Sequence, residues 1–345
     1  MIIDKKLLLN LVQIPSPSGM EQLIKDFIIQ YGNRHLKKTE VFVNSGEVFY
    51  VKKSGKKDAK TVLFDAHIDH ISMRIMTITR DGFLICRPFG INKEDIYGKP
   101  IKILTRRGII DGVITINPPH LDISNDKLII DIFVKNREEA EKLVVIGDPV
   151  FFEPYAKIIN NFLIGTSLDN HIGVYSLIKL AEQIDRLDNL EFNIVFHFSS
   201  REETGGLKYL SMVDGILPNK IDLIFVVDAD LANDVYNLKI DDIPETRLDG
   251  GPIITRNIID DPAVYEFIMN IIGTKIPYQI VMSDGDGGNN LLEYGKLTLL
   301  GQSIGIPLRY MHSSVETCSL DDIRWTIKLL YKIVTSLHLF FRGEK

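Results

Sequence analysis

The chain predicts a layered α/β fold interrupted by a mostly-β insert, and three observations carry that expectation. Short continuous apolar runs recur, as expected of strands buried on both faces. Amphipathic helical patterns lie between them, and one stretch, residues 71–158, breaks the alternation. In chain order, Ser18-Gly19-Met20-Glu21 has capping-box spacing and opens a helix from Gln22 to Tyr31, where Leu23, Phe27 and Ile28 recur at helical intervals. Thr61 to Phe64 is the first buried strand. Its signature returns at Phe192–Phe198, Leu223–Val227, Tyr278–Met282 and Leu297–Leu300. Helices are predicted over Asn170–Leu187, Gly206–Val213 and Pro262–Ile272. Ser319 with Asp322 caps the last helix, in which Ile323, Ile327, Leu330, Val334, Leu337 and Phe341 step by three and four.

The insert enters after the first buried strand and leaves before Gly165. Its strand-like pieces (Arg74–Thr79, Gly112–Ile116, Leu128–Val134, Pro149–Phe152) are separated by Gly, Pro and Asn turns, and only Glu138–Val144 has a helical pattern. The predicted division is therefore residues 1–70 with 159–345 as one α/β domain and residues 71–158 as an inserted β-rich domain.

Composition excludes several classes. The 345 residues carry 40 Lys+Arg against 46 Asp+Glu, a formal charge of −6, without any block of like charges that would suit nucleic acid or an anionic membrane. No apolar run approaches the ~20 residues of a membrane span, and the N-terminus offers only Leu7 to Leu9 before Asn10, too little for a signal sequence. Cys86 and Cys318 form neither a CxxC pair nor a disulfide framework, which points to a reducing, cytoplasmic setting.

The chemistry is written at the ends of the buried strands. Phe64 runs into Asp65-Ala66-His67-Ile68-Asp69, Phe198 into Ser199-Ser200-Arg201-Glu202-Glu203, Val227 into Asp228-Ala229-Asp230, and Met282 into Ser283-Asp284-Gly285-Asp286. Open α/β sheets bind ligands beyond the carboxyl ends of their strands, where charges are costly to bury unless paired or bound to a metal. One acidic strand end is ordinary; four in one chain are not. Asp169, alone, would be an acid complementing a helix dipole, and His312, alone, a packed or solvent-facing histidine. In this company both become metal candidates. Histidines and carboxylates without thiolates suit Zn²⁺, Co²⁺ or Mn²⁺. The repelling pair Glu202-Glu203 makes sense if Glu203 ligates a metal and Glu202 stays free as a general base. HExxH, Walker and GxSxG motifs are absent. Ser283 to Gly288 is not a calcium loop, since Gly295 stands where the final Glu is needed.

As an ordered set, Ala66-His67-Ile68-Asp69, Leu168-Asp169-Asn170, Glu202-Glu203-Thr204-Gly205, Val227-Asp228 and Ile306 to Ser313 resemble the tetrahedral (glutamyl) aminopeptidase family of dinuclear metallopeptidases. Ile14-Pro15-Ser16-Pro17-Ser18-Gly19-Met20-Glu21 and, in the insert, Gly112-Val113-Ile114, Pro118-Pro119-His120 and Gly147-Asp148 match as well, so the resemblance spans nearly the whole chain. It implies two divalent cations per subunit, zinc first and cobalt or manganese as alternatives. Asp169 would bridge them, His67 and Asp228 completing one site and Glu203 and His312 the other. Glu202 would be the general base, and Asp69 the carboxylate orienting His67. The implied substrates are peptides with a free N-terminus. The implied assembly is a homo-oligomer, with dimers made through the insert and built into a tetrahedral dodecamer. This sequence departs from the family at His70, where Glu is usual, at His171 (Arg), at Arg201 (Gln) and at Asp230 (Thr); the family's Gly-Gly-Thr-Asp loop appears as Ser283 to Asp286. Rival readings are another dinuclear amidohydrolase (dipeptidase, carboxypeptidase or deacylase) and a catalytically silent metal-binding scaffold. An unligated Glu202 argues against the scaffold, and no acid pair suggests the glycoside chemistry of the cellulase names borne by some relatives.

Overall fold

The computed structural model describes residues 2–91, 96–115, 128–205, 220–236, 245–256, 261–282, 290–294, 298 and 300–342. Helix α1 (Lys5–Leu11) and α2 (Gln22–His35) lead into the hairpin β1 (Glu40–Asn44) and β2 (Glu47–Lys52), and then into β3 (Thr61–His67). The chain next forms β4 (Ser72–Ile78), β5 (Leu84–Phe89), β6 (Pro100–Thr105), β7 (Gly108–Ile114), β8 (Leu128–Asp131), the short α3 (Arg137–Glu141) and β9 (Pro149–Phe152). It returns through β10 (Ala156–Ile159) and β11 (Phe162–Gly165) to α4 (Leu168–Asp185), β12 (Asn193–Ser199) and β13 (Ile221–Leu231). The remainder is β14 (Ile253–Arg256), α5 (Pro262–Ile272), β15 (Gln279–Met282), α6 (Leu291–Tyr294), β16 (Gly301–Arg309), β17 (Glu316–Ser319) and α7 (Leu320–Arg342).

Among the described residues, eleven strands make one sheet in the order β1-β2-β12-β3-β13-β16-β17-β11-β10, with β14 on β16 and β15 on β14. Its centre is parallel: β3 lies between β12 and β13, and β13 pairs with β16. Strand parity divides the core. Val62, Phe64 and Ala66 of β3 point to the face covered by α1, α2, α4, α5 and α7, while Leu63 packs on the other face with Val195, Ile224, Val226 and Tyr294. Both faces are apolar, which is why these strands are continuous hydrophobic runs.

Strands β4 to β9 form a second unit, a closed barrel in the order β4-β5-β8-β7-β6-β9, with its own core of Met73, Ile75, Leu84, Ile103, Ile114, Ile130 and Val150. The molecule is thus a layered α/β domain plus a β-rich domain. Strands β5 and β6 were not expected from periodicity, and β8 stops at Asp131, short of the expected Val134. Phe133 has φ 61° and is 72% exposed, so the apolar Ile132-Phe133-Val134 is a turn and not a strand.

Two local expectations fail because a distant partner takes the side chain. Ser18 does not cap α2; its hydroxyl donates to Asp69, and Glu21, beside the helix, instead accepts from the Gly19 amide. Ser319 caps the last helix as expected, its Oγ accepting from the Asp321 amide at 3.1 Å, but Asp322 does not close the box; its carboxylate accepts from the amides of Asp249 and Gly251, each at 2.8 Å. The strand expected at Leu297–Leu300 falls partly outside the described residues, and the described strand here is Gly301–Arg309. Its glycines answer to crowding: a Cβ on Gly305 would stand 2.5 Å from Asp230 Cβ. The helix expected at Gly206–Val213 lies outside the described residues.

Below the strand ends runs a buried polar layer. His197 of β12 lies 3.2 Å from Asp65 of β3 and 3.5 Å from Glu47 of β2, and Tyr294 donates to Asp65 at 2.8 Å. Burial disfavours the His197 imidazolium, but hydrogen bonds to Asp65 and Glu47 outweigh it and raise its pKa from 6.5 to about 9. A folded-state pKa above the unfolded one gives stability that is complete below the unfolded value and lost as pH rises through the folded value. Thermal melts of wild type against His197→Gln should therefore show a stability gap that shrinks by roughly 3 kcal/mol between about pH 6 and pH 10. A gap independent of pH would mean that His197 is neutral in the fold.

Candidate active site

Parallel strands place the site. Val226 of β13 is in register with Asp65 of β3, and two residues further along these strands stand Asp228 and His67. Ser199 at the end of β12 pairs with His67 and leads into the 3₁₀ turn Glu202–Thr204. The turn between β16 and β17 carries His312, and Asp169 opens α4. Regular helical geometry in α4 begins only after Asp169 and Asn170, whose shared peptide bond is cis. Asn170 is held by its side-chain Nδ2, which donates to the Val227 carbonyl at 2.8 Å. Left-handed backbone at the non-glycine residues Ser167, Arg201, Tyr310 and His312 (φ 58–66°) marks three of these turns. Such conformations cost free energy and persist where the surroundings over-determine them.

Five side chains converge in two overlapping triads, His67-Asp169-Asp228 and Asp169-Glu203-His312, each offering ligand atoms within 4.8 Å of one another. His67 Nε2 lies 3.2 Å from both Asp169 Oδ1 and Asp228 Oδ1. His312 Nε2 lies 3.4 Å from both Asp169 Oδ2 and Glu203 Oε2. Asp169 thus turns one oxygen to each triad. His67 Nδ1 faces the Asp69 carbonyl at 3.1 Å and its carboxylate at 3.5 Å. That carboxylate also accepts from the amides of Glu202 (3.0 Å) and Glu203 (3.2 Å), so Asp69 fixes the glutamate turn as well as facing the histidine.

Glu202 belongs to neither triad. Burial, then the neighbouring Asp228, Glu203 and Asp169, push its carboxyl up to about 9. Burial and then Asp169 raise Glu203 to about 7, against the pull of His312. Burial opposes charge on His67, yet Asp228, Asp169 and Asp69 hold it well above its ordinary value; the same contest at His312, with Asp169 and Glu203, ends at about 11. Four acids thus crowd two histidines in a largely desolvated cluster, and the protein's own groups cannot keep every acid ionised. Glu203 Oε1 is buried with no hydrogen-bond partner. An orphaned buried oxygen beside an all-nitrogen-and-oxygen donor set fits divalent cations such as zinc.

Asp230 sits apart from both triads. Its carboxylate accepts from Thr255 Oγ1 at 2.8 Å, and burial raises its pKa to about 6. The expectation that Asp228 marks the strand end needs correction, because β13 continues to Leu231. His70 and His171 meet at Ser16: its amide donates to His70 Nε2 at 3.0 Å, and its hydroxyl lies 2.9 Å from His171 Nε2. Burial lowers both pKa values, His171 to about 3, so two neutral imidazoles occupy positions where the resemblance leads one to expect Glu and Arg. Asp284 and Asp286, like Pro118 to His120, lie outside the described residues. Sequence reasoning missed Glu316, which is 1% exposed; its carboxylate accepts from the amides of Leu168, Asp169 and His312. Burial and the Asp169 charge raise it to about 8.

A layered α/β sheet with this cluster at its strand ends, joined to a β-barrel, is the architecture of a peptide hydrolase. The chain belongs to the M42 glutamyl aminopeptidase family, whose sequence profile matches residues 46–329. It is 28% identical over 355 residues to the lysyl aminopeptidase of Pyrococcus furiosus, covering 97% of this chain and 98% of that protein. Among solved structures, it is similar to an aminopeptidase of the archaeon Desulfurococcus kamchatkensis (TM-score 0.85, 26% identity, 95% of this chain and 93% of that one). It is also similar to the TET1 peptidase of Pyrococcus horikoshii (TM-score 0.81, 27% identity, 96% and 98%), which can assemble into a tetrahedron or a large octahedral shell. Among the described residues no helix is long and apolar enough to cross a membrane.

Proposed function

We propose that this protein is a dinuclear metal-dependent aminopeptidase that removes residues from the free N-terminus of peptides. The observation that carries the proposal is the pair of triads sharing Asp169, with Glu203 Oε1 left unpartnered beside them. His67, Asp169 and Asp228 would hold one cation, and Asp169, Glu203 and His312 the other. Bound there, zinc (or cobalt or manganese) would supply Lewis-acid polarisation of the scissile carbonyl and acidify the attacking water. Glu202, outside both triads, takes the water's proton and returns it to the leaving amine. Asp69 keeps that base in place through the two amides of the glutamate turn and keeps His67 turned toward the pocket.

Residues 1–70 and 159–345 would form the catalytic domain and 71–158 a dimerisation domain, except that β10 (Ala156–Ile159) pairs with β11 in the large sheet and so goes with the catalytic part. Phe133, Val145 and Ile146 on the barrel are 72%, 53% and 62% exposed, an apolar surface suited to a second copy of the chain. Phe133→Asp with Ile146→Asp should give smaller particles by light scattering, with unchanged metal content. Wild type that stays a 39.2 kDa monomer at micromolar concentration would end this part of the proposal. A cytoplasmic location accords with Cys86 and Cys318, both buried free thiols.

The direct test is a mixed peptide library analysed by mass spectrometry. N-terminal residues should appear one at a time, chelation should abolish release, and added zinc, cobalt or manganese should restore it. C-terminal release, or cleavage of acylated amino acids alone, would replace the proposal with the carboxypeptidase or deacylase reading. Release confined to dipeptides would favour a dipeptidase. Chelation without effect would remove the metals from it.

A further inference from the structure

We propose that Glu316 is a positioning residue that locks the Asp169 loop to the His312 loop and so sets the affinity of the Asp169-Glu203-His312 triad for its cation. This rests on reading the two triads as a metal centre. Glu316 opens β17, immediately after the turn that carries His312. Its Oε2 accepts from the backbone amides of Leu168 at 2.7 Å and Asp169 at 3.2 Å, and its Oε1 accepts from the amide of His312 at 2.9 Å. The first two donors lie 148 and 147 residues away in sequence and the third only four. One buried carboxylate therefore ties together the backbones of two segments whose other links here are the β11–β17 pairing and the Asp169–His312 side-chain contact.

Both segments need such a tie. Ser167, just before Leu168, has φ 59°, and Tyr310 and His312 have φ 58° and 63°. Left-handed backbone at non-glycine residues relaxes unless something holds it, and buried amides without a partner carry a desolvation penalty. Asp69 provides the precedent within this molecule, since its two oxygens hold the Glu202 and Glu203 amides in the same manner. Strand pairing does not depend on the Glu316 side chain. The backbone of Glu316 pairs with Gly165, and the next residue, Thr317, pairs with Ile164 on one side and Arg309 on the other. Loss of the carboxylate should thus displace ligands without dissolving the sheet.

Glutamine separates the two roles. It retains one acceptor oxygen and gains a donor. The oxygen will go to the side with two amides, Leu168 and Asp169, and the new NH₂ will then face the His312 amide, donor against donor. The His312 triad is the one that loosens, while His67-Asp169-Asp228 keeps its geometry.

The test is a cobalt(II) titration of the metal-stripped full-length protein, following the visible absorption bands and counting bound metal after gel filtration. Wild type should bind two equivalents. Glu316→Gln should keep one at wild-type affinity and weaken the other about 10- to 100-fold, with the melting midpoint of the metal-free protein unchanged. Glu316→Asp keeps the charge but is one methylene too short to reach both loops. It should show the same selective loss, and it carries the test where the glutamine variant does not fold. Two equivalents at wild-type affinity, equal weakening of both, or a collapsed metal-free melting midpoint in both variants would each overturn the assignment. Wild type that takes up no cobalt would overturn the metal centre itself, a result distinguishable from all of these.

Discussion

Glu202→Gln should lower kcat by about 10²- to 10⁴-fold, the usual cost of losing a positioned base, while metal content and melting midpoint stay at wild-type values. The argument begins with the backbone. Glu202 is anchored through its amide, which donates to Asp69 Oδ1 at 3.0 Å, so the side chain can change without moving the turn. It belongs to neither triad, so its loss leaves both ligand sets complete. An amide of the same shape cannot accept a proton. The pH dependence follows from the same groups. Burial and the neighbouring acids raise the Glu202 carboxyl to about 9, and positive charge among those acids removes part of that push and brings it toward neutrality. Below its pKa the group holds its proton and cannot act as a base, so kcat/KM of wild type should fall on the acid side. The glutamine variant should retain a slow rate that lacks this limb. Metal analysis together with a pH–rate profile checks both points. If metal content collapses instead, Glu202 is a ligand and the base must be sought at Glu203.

The α/β part of the fold was legible because its strands are buried on both faces. A run such as Thr61 to Phe64 has no polar alternation to obscure it, and it is followed at once by the charged residues that the strand delivers to its end. The barrel was less legible. Strand β5 contains Arg87 and Pro88, and β6 alternates buried residues with less buried ones around Lys102, so neither is a continuous apolar run. Strand β16 was hidden by Gly301, Gly305 and Pro307, which count locally as breakers. Crowding by Leu291 and Asp230 is what requires those glycines, and crowding is a property of the assembled sheet. The unmade cap of α2 and the Asp322 half of the α7 box teach the same lesson. Ser18 and Asp322 have the right spacing, but a partner from elsewhere in the fold is better placed than the adjacent helix terminus.

The site divides along similar lines. His67, Asp228, Glu202 and Glu203 follow apolar runs directly, so strand logic alone leads to them. Asp169 and His312 needed the ordered set of motifs, because an acid at a helix start or a histidine in a turn is common. Glu316 left almost no local signal. A single glutamate after Val315, at the start of a four-residue strand, looks like an ordinary surface residue, and two of its three partners are 147 and 148 residues away. Its burial at 1% is the observation that separates it from the chain's many exposed glutamates.

Asp169→Asn should empty both triads together and reduce turnover to background. Oδ1 of Asp169 faces His67 Nε2 at 3.2 Å and Oδ2 faces His312 Nε2 at 3.4 Å, and Asp169 is the residue the triads have in common. Asparagine supplies one neutral oxygen and, on the other side, an NH₂ that donates where a cation needs an electron pair. Whichever way the amide turns, one triad faces a donor, and the other has exchanged a charged ligand for a neutral one. Each should bind cobalt more than about 100-fold less tightly, beyond the 10- to 100-fold typical of residues that only support ligands. The backbone amide of residue 169 can still donate to Glu316, so the loop keeps its anchor and the loss is chemical rather than conformational. The contrast with Glu316→Gln is the informative comparison: there one equivalent is lost, here two. Full occupancy of both triads with normal turnover in Asp169→Asn would exclude a shared carboxylate, and with it the paired-cation centre.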